Sequence, residues 1–128
     1  MSEDRAVDGC HVTHIDDIAA EQWPYWAPIR HHFGIQTFGV NAWRGGEGDE
    51  VIKRHDESDS GQPELYLVLS GDALFTVRDE EIAAPAGTLV WVEDPTAERV
   101  AVAMETNTVV LSIGGGPPSG WDTSYLES

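Results

Sequence analysis

Between Glu64 and Ser70 the chain sets Leu65, Leu67 and Leu69 against Glu64, Tyr66 and Val68. A side-chain period of two marks a β-strand, because successive Cβ atoms leave opposite faces. Gly71-Asp72 follows and predicts a turn into a second strand over 73–77, read together as a hairpin. Pro85-Ala86-Gly87 is another turn, leading into a strand over 88–92 that Asp94-Pro95 ends. Short strands are also expected over 51–55, 100–104 and 108–113, with a polar loop over 56–63. Residues 33–43 read as extended and Gly-punctuated, broken by Arg44-Gly45-Gly46-Glu47-Gly48. Short strands at this spacing predict a sandwich or barrel rather than alternating strands and helices.

The first 32 residues have a different texture. Asp16-Asp17 is placed to cap a short helix through Ala19, Ala20 and Glu21, which Pro24 would stop. Trp23, Tyr25, Trp26 and Ile29 follow without a clean period. We expect 1–32 to be an arm whose aromatics pack on the outside of a barrel spanning 33–114. A tail over 115–128 follows, with Trp121 and Tyr125 available to dock back.

Composition narrows the partners. A length of 128 residues with 41% hydrophobic content suits one folded domain. Acidic residues outnumber basic ones by 23 to 7, a formal charge of −16, so phosphate backbones and anionic membranes should repel the chain. Neither nucleic acid nor a membrane is an expected partner. The start, Met1-Ser2-Glu3-Asp4-Arg5, is polar and acidic, which leads to the expectation of a cytoplasmic protein. Cys10 is the single cysteine, so no intrachain disulfide and no thiolate-rich zinc site can form.

The stretch from Gly48 to Gly71 resembles the first motif of the cupins. Its glycine, histidine, glutamate and closing-glycine positions fall on Gly48, His55, Glu64 and Gly71, and Glu57 stands where a second histidine is usual. Pro85-Ala86-Gly87 matches the turn that opens the second motif. The histidine position of that motif falls on Val90 and the asparagine position on Asp94. The resemblance covers roughly residues 34 to 114. It implies an all-β fold, the double-stranded β-helix or jelly-roll barrel, holding a divalent metal or a small ligand inside. It also implies a homodimer, for which Trp23, Tyr25 and Trp26 of the arm offer apolar surface.

With the motif residues inside the barrel, strand alternation places Tyr66 and Val68 inward beside Glu64, and Thr88, Val90 and Val92 inward on the later strand. The leucines of 65–69 then face a packing layer outside. A metal would rest on His55, Glu57 and Glu64, one imidazole and two carboxylates suited to Fe, Mn, Zn or Ni. The competing arrangement leaves His55 and Glu57 on the rim and pairs Glu64 with Arg99 or Arg54. Tyr66, Val90, Arg99 and Trp43 are the candidate ligand-binding residues. Arg99 is read either as a clamp for an anion or as half of a structural ion pair. Trp43 and Trp91 suit either a pocket wall or aromatic packing. His31-His32, His11 and His14 are expected on the arm or the surface.

Three functions compete. One is a small-molecule-binding cupin without catalysis. Another is a metal-dependent oxygenase, isomerase or lyase acting through His55, Glu57 and Glu64. The last is a dimeric accessory or scaffolding protein. The missing second-motif histidine favours the first.

Overall fold

The computed structural model describes residues 5–18 and 26–114. Two antiparallel sheets carry the chain, apart from a small hairpin of β1 (Arg5–Val7) and β2 (Cys10–Val12). One sheet has the order β5 (Glu50–His55), β10 (Arg99–Ala103), β7 (Asp72–Val77), β8 (Glu80–Pro85). The other has the order β3 (Trp26–Ala27), β4 (Gly39–Gly45), β11 (Thr108–Gly114), β6 (Glu64–Ser70), β9 (Leu89–Val92). Their inner faces form one core, in which Val51, Ile52, Phe75 and Ala101 of the first sheet meet Tyr66, Val68, Val90 and Val110 of the second. The rings of Tyr66 and Phe75 touch across it with centroids 5.4 Å apart. Two sheets closing over one apolar core is the expected all-β jelly-roll barrel.

The alternation read in 64–70 sets the inner face. Tyr66 and Val68 are buried while Leu65, Leu67 and Leu69 lie on the other side. Val90 and Val92 are buried and Leu89 and Trp91 exposed, by the same rule.

Several local expectations need correction. Gly71 does not open a hairpin: β6 pairs with β11 and β9, whereas β7 pairs with β10 and β8. Gly71 instead passes the chain from one sheet to the other at φ +77°, where a Cβ would lie 2.6 Å from the Thr108 Cα. Only glycine fits that corner. Strand β8 was hidden by its composition, since Glu80, Glu81, Ala83 and Ala84 carry little strand propensity. Cross-strand pairing with β7 decides it.

The extended reading of 33–43 also fails in its first half. A single helical turn, α1 (Ile29–Phe33), is closed by Gly34 at φ 68°, and the strand begins only at Gly39. His31 and His32 sit on that turn, outside the barrel site. Asp16 and Asp17 lie inside a 3₁₀ turn (Ile15–Asp17), and the helix read through Ala19, Ala20 and Glu21 falls outside the described residues. The cap is His14, whose Nδ1 accepts from the Asp16 N–H at 3.0 Å. Residues 19–25, with Trp23 and Tyr25, and the tail with Trp121 and Tyr125 lie outside the described residues. No helix among the described residues is long and apolar enough to cross a membrane.

Candidate functional site

The site lies where the first residue of β6 and the last residue of β5 meet at one end of the barrel. Antiparallel pairing puts His55 opposite Arg99 on β10, and Glu64 opposite Val92 on β9. Glu57 belongs to the loop after β5, held in place because its N–H donates to the Pro95 carbonyl at 2.7 Å. One ligand atom from each of His55, Glu57 and Glu64 falls within 4.8 Å of the others. Of the competing arrangement, the pairing of Glu64 with Arg99 is present, at 3.2 Å, and His55 and Glu57 are both partly exposed.

Hydrogen bonds orient each of these side chains. His55 Nδ1 is 2.6 Å from the Lys53 carbonyl oxygen, to which it can only donate. Its Nε2 then faces Glu57 Oε2 at 3.0 Å and Glu64 Oε1 at 3.7 Å. The Ser60 hydroxyl donates to Glu57 Oε1 at 3.0 Å. Glu64 Oε1 accepts from the Tyr66 hydroxyl and, at 3.2 Å, from Arg99 Nη1. Arg99 is completely buried, and its Nε–H donates to the Ala97 carbonyl at 2.9 Å.

Titration follows from this geometry. Burial alone would push the His55 pKa down, but the Glu57 and Glu64 carboxylates outweigh it and hold it up at about 10. Burial likewise tends to raise Glu57, yet the hydrogen bonds from His55 and Ser60 hold it below its ordinary value. The Tyr66 hydroxyl is pushed up by burial and by the Glu64 charge, so it keeps its proton and acts as a donor. Without a metal, a protonated His55 and Arg99 offset the two glutamates.

A cavity of about 340 Å³ opens beside this cluster, bounded by His55, Glu57, Glu64, Tyr66, Trp26 and Trp43, with Asn41 and Ser112, a cross-strand pair of β4 and β11, also in its lining. Its size lies within the usual range for small-molecule sites. Trp26 and Trp43 stand opposite each other on β3 and β4, their rings stacked at 5.7 Å and 9°. Trp43 Nε1 donates to the Ser112 hydroxyl at 2.8 Å, which fixes the ring against the cavity wall.

The seven sequence candidates divide. His55, Glu57, Glu64, Tyr66 and Trp43 all line the cavity. Val90, opposite Tyr66, and Val92, opposite Glu64, both face inward and both belong to the packed core. The motif spacing located the strand and the inward face of Val90. Arg99 sits behind Glu64 as half of an ion pair, too deeply buried to form part of the cavity wall. Trp91 is on the outer face, away from the cavity. Asp94 is also outside; Thr96 and then Arg78 hold its carboxyl down to about 2.

Sequence reasoning missed Trp26, Asn41 and Ser112. Ser112 was detectable, because it shares parity with buried Val110 in an otherwise apolar strand. Trp26 was not, because a two-residue strand has no period to read. Its ring is buried against Trp43 instead of packing on the outside as an arm aromatic would.

Comparison with protein-family models and with curated proteins matches none of them. Comparison with solved structures finds likenesses that cover between 61% and 73% of this chain. A cupin protein from Bacteroides fragilis is 21% identical over 69% of this chain and 73% of its own, with a TM-score of 0.59. A putative sugar phosphate isomerase from Acidithiobacillus ferrooxidans is 21% identical over 73% of this chain and 62% of its own, with a TM-score of 0.59. KdgF from a Halomonas species is 16% identical over 64% of this chain and 70% of its own, with a TM-score of 0.55. Together with the two sheets and the cavity between them, these likenesses show that the protein has the cupin fold.

Proposed function

We propose that this protein binds a small molecule in the barrel cavity, against a divalent transition metal held by His55, Glu57 and Glu64. The observation that carries the reading is the convergence of those three donors at the edge of a cavity with a tryptophan wall. The donor set fits Fe, Mn, Zn or Ni. The Nδ1–H of His55 is committed to a backbone carbonyl, the usual support for an imidazole that ligates through Nε2. When bound, the metal would supply Lewis acidity and open positions for a ligand. The chain's own groups supply the rest: Trp43 and Trp26 present apolar surface to a ring or chain, and Tyr66 holds a proton beside Glu64.

A metal-dependent isomerase, lyase or oxygenase is the second reading. The position of Tyr66, a retained proton donor on the cavity wall, favours it. A scaffolding role alone draws no support from a barrel that keeps an open cavity. We place the protein in the cytoplasm as a homodimer, with no nucleic-acid or membrane partner.

The test is elemental analysis of untagged protein, followed by titration of chelator-treated protein with Mn, Fe, Ni and Zn. About one equivalent is expected, lost in Glu57→Gln and His55→Ala, with the tryptophan fluorescence change that Trp43→Phe abolishes reporting ligand entry. Folded protein that takes up none of the four metals would remove the metal from the reading. Small-metabolite binding unaffected by Trp43→Ala would remove the cavity.

A further inference from the structure

We propose that the ligand is a small planar carboxylic acid and that Asn41 reads an amide-like group at the end of it remote from the metal. This rests on the metal-supported cavity proposed above and names what enters it. Cross-strand register arranges the inner face of the five-stranded sheet in rows. Gly39, Gly114 and Glu64 lie abreast at the metal end, with Asn41, Ser112 and Tyr66 in the next row. Trp43 and Trp26 stand side by side in the row beyond. Residues directly opposite in antiparallel strands share a face, so Asn41 and Tyr66 look into the same cavity as the tryptophans.

Folding does not account for Asn41. Asparagine is disfavoured within strands, yet it stands in the middle of β4 on the inner face. Its neighbours in the row are committed. The Ser112 hydroxyl accepts from Trp43 Nε1 at 2.8 Å and donates to the Asn41 main-chain carbonyl at 3.4 Å, and the Tyr66 hydroxyl donates to Glu64. The Asn41 carboxamide has no hydrogen-bond partner among the described residues. A carboxamide sets an acceptor beside two donors, so its best complement is another amide edge, which returns both kinds of bond at once.

Charge fixes the other end of the ligand. An imidazole that ligates through Nε2 is neutral, so a divalent metal cancels the charges of Glu57 and Glu64. Buried Arg99, 3.2 Å from Glu64, is left over, and this end of the cavity is positive in a chain of formal charge −16. A carboxylate is favoured there over a neutral group. The Trp43 ring, held by Ser112 and stacked on Trp26, takes a flat body between the two ends. The Asn41 and Glu64 backbones are two strands and two residues apart, roughly 12 Å. Their side chains leave between them the length of one ring with a group at each end.

Calorimetric titration of the zinc-loaded full chain with 4-carbamoylbenzoate, benzoate and methyl 4-carbamoylbenzoate tests this. The first should bind about tenfold more tightly than benzoate, through the bonds to Asn41, and the uncharged ester at least about tenfold more weakly than the first. Asn41→Val should abolish the preference between the two acids while keeping benzoate affinity and zinc content. It should also melt no lower than wild type, because the carboxamide has no partner in the protein to lose. Asn41→Asp, an acceptor only, should instead prefer 4-(aminomethyl)benzoate. Equal affinities for the two acids, a preference that survives Asn41→Val, or no binding of any probe at millimolar concentration would overturn the proposal, and intact zinc content would leave the metal reading standing. A marked fall in the Asn41→Val melting temperature would make the residue structural and overturn it equally. A chain that takes up no zinc yet shows the Asn41-dependent preference would defeat the metal reading alone.

Discussion

Removing one partner of the Glu64–Arg99 pair should cost far more on one side than on the other. Arg99 has no exposed surface, and Glu64 is the carboxylate with which it pairs, at 3.2 Å. Glu64 is 19% exposed and also accepts from Tyr66 and faces His55. Glu64→Leu therefore strands a buried guanidinium, for which about 3–5 kcal/mol of lost stability is expected. Arg99→Met keeps the aliphatic stem and removes charge-assisted hydrogen bonds, worth about 1.5–3 kcal/mol, while Glu64 retains other donors and water. The double variant should lose only about 2–4 kcal/mol, because no charge is left buried without its partner. The coupling between the two sites is then about 2 kcal/mol or more. Urea unfolding at neutral pH and fixed salt measures this, provided the m-value is unchanged. Thermal midpoints should follow, at roughly 3–5 °C per kcal/mol for a chain of this length. Single-variant costs that simply add within about 0.5 kcal/mol, or a larger loss in Arg99→Met than in Glu64→Leu, would refute the reasoning.

Two further outcomes follow from the site. The folded pKa of His55 is about 10 against an ordinary 6.5, so its contribution is complete below 6.5 and is lost as pH rises toward 10. Glu57 is depressed, so its contribution is present above its ordinary 4.5 and is lost as pH falls through its lower folded value. Chelator-treated protein should thus be most stable between these two ordinary values and lose about 1–2 kcal/mol toward pH 10, a figure reduced for the partial exposure of His55. Urea melts across that range check it, and a slope equally steep in His55→Gln would contradict it. Val90→His and Val92→His should each cost on the order of 1–3 kcal/mol by disturbing the core that both belong to, and Val90→His, opposite Tyr66, should leave metal affinity unchanged. Val92→His, opposite Glu64, should tighten metal binding about tenfold; calorimetric titration giving the reverse ranking would refute the register argument.

The sequence by itself determined the barrel. Alternation over 64–70 assigned Tyr66 and Val68 to the inside, because a one-residue slip would turn every leucine of that strand inward. The motif resemblance also named His55, Glu57 and Glu64 together, and their ligand atoms lie within 4.8 Å of one another. Only tertiary structure decided the remainder. Strand register, set by hydrogen-bonded pairing at a distance along the chain, put Val92 across from Glu64 and Val90 across from Tyr66. Pairing with β4 turned the aperiodic Trp26 into a cavity wall. Burial made Arg99 a structural counter-ion, a choice that local sequence leaves open because the same guanidinium could equally well have faced solvent. A local pattern fixes which face a side chain takes; what it meets there depends on strands folded back from elsewhere in the chain.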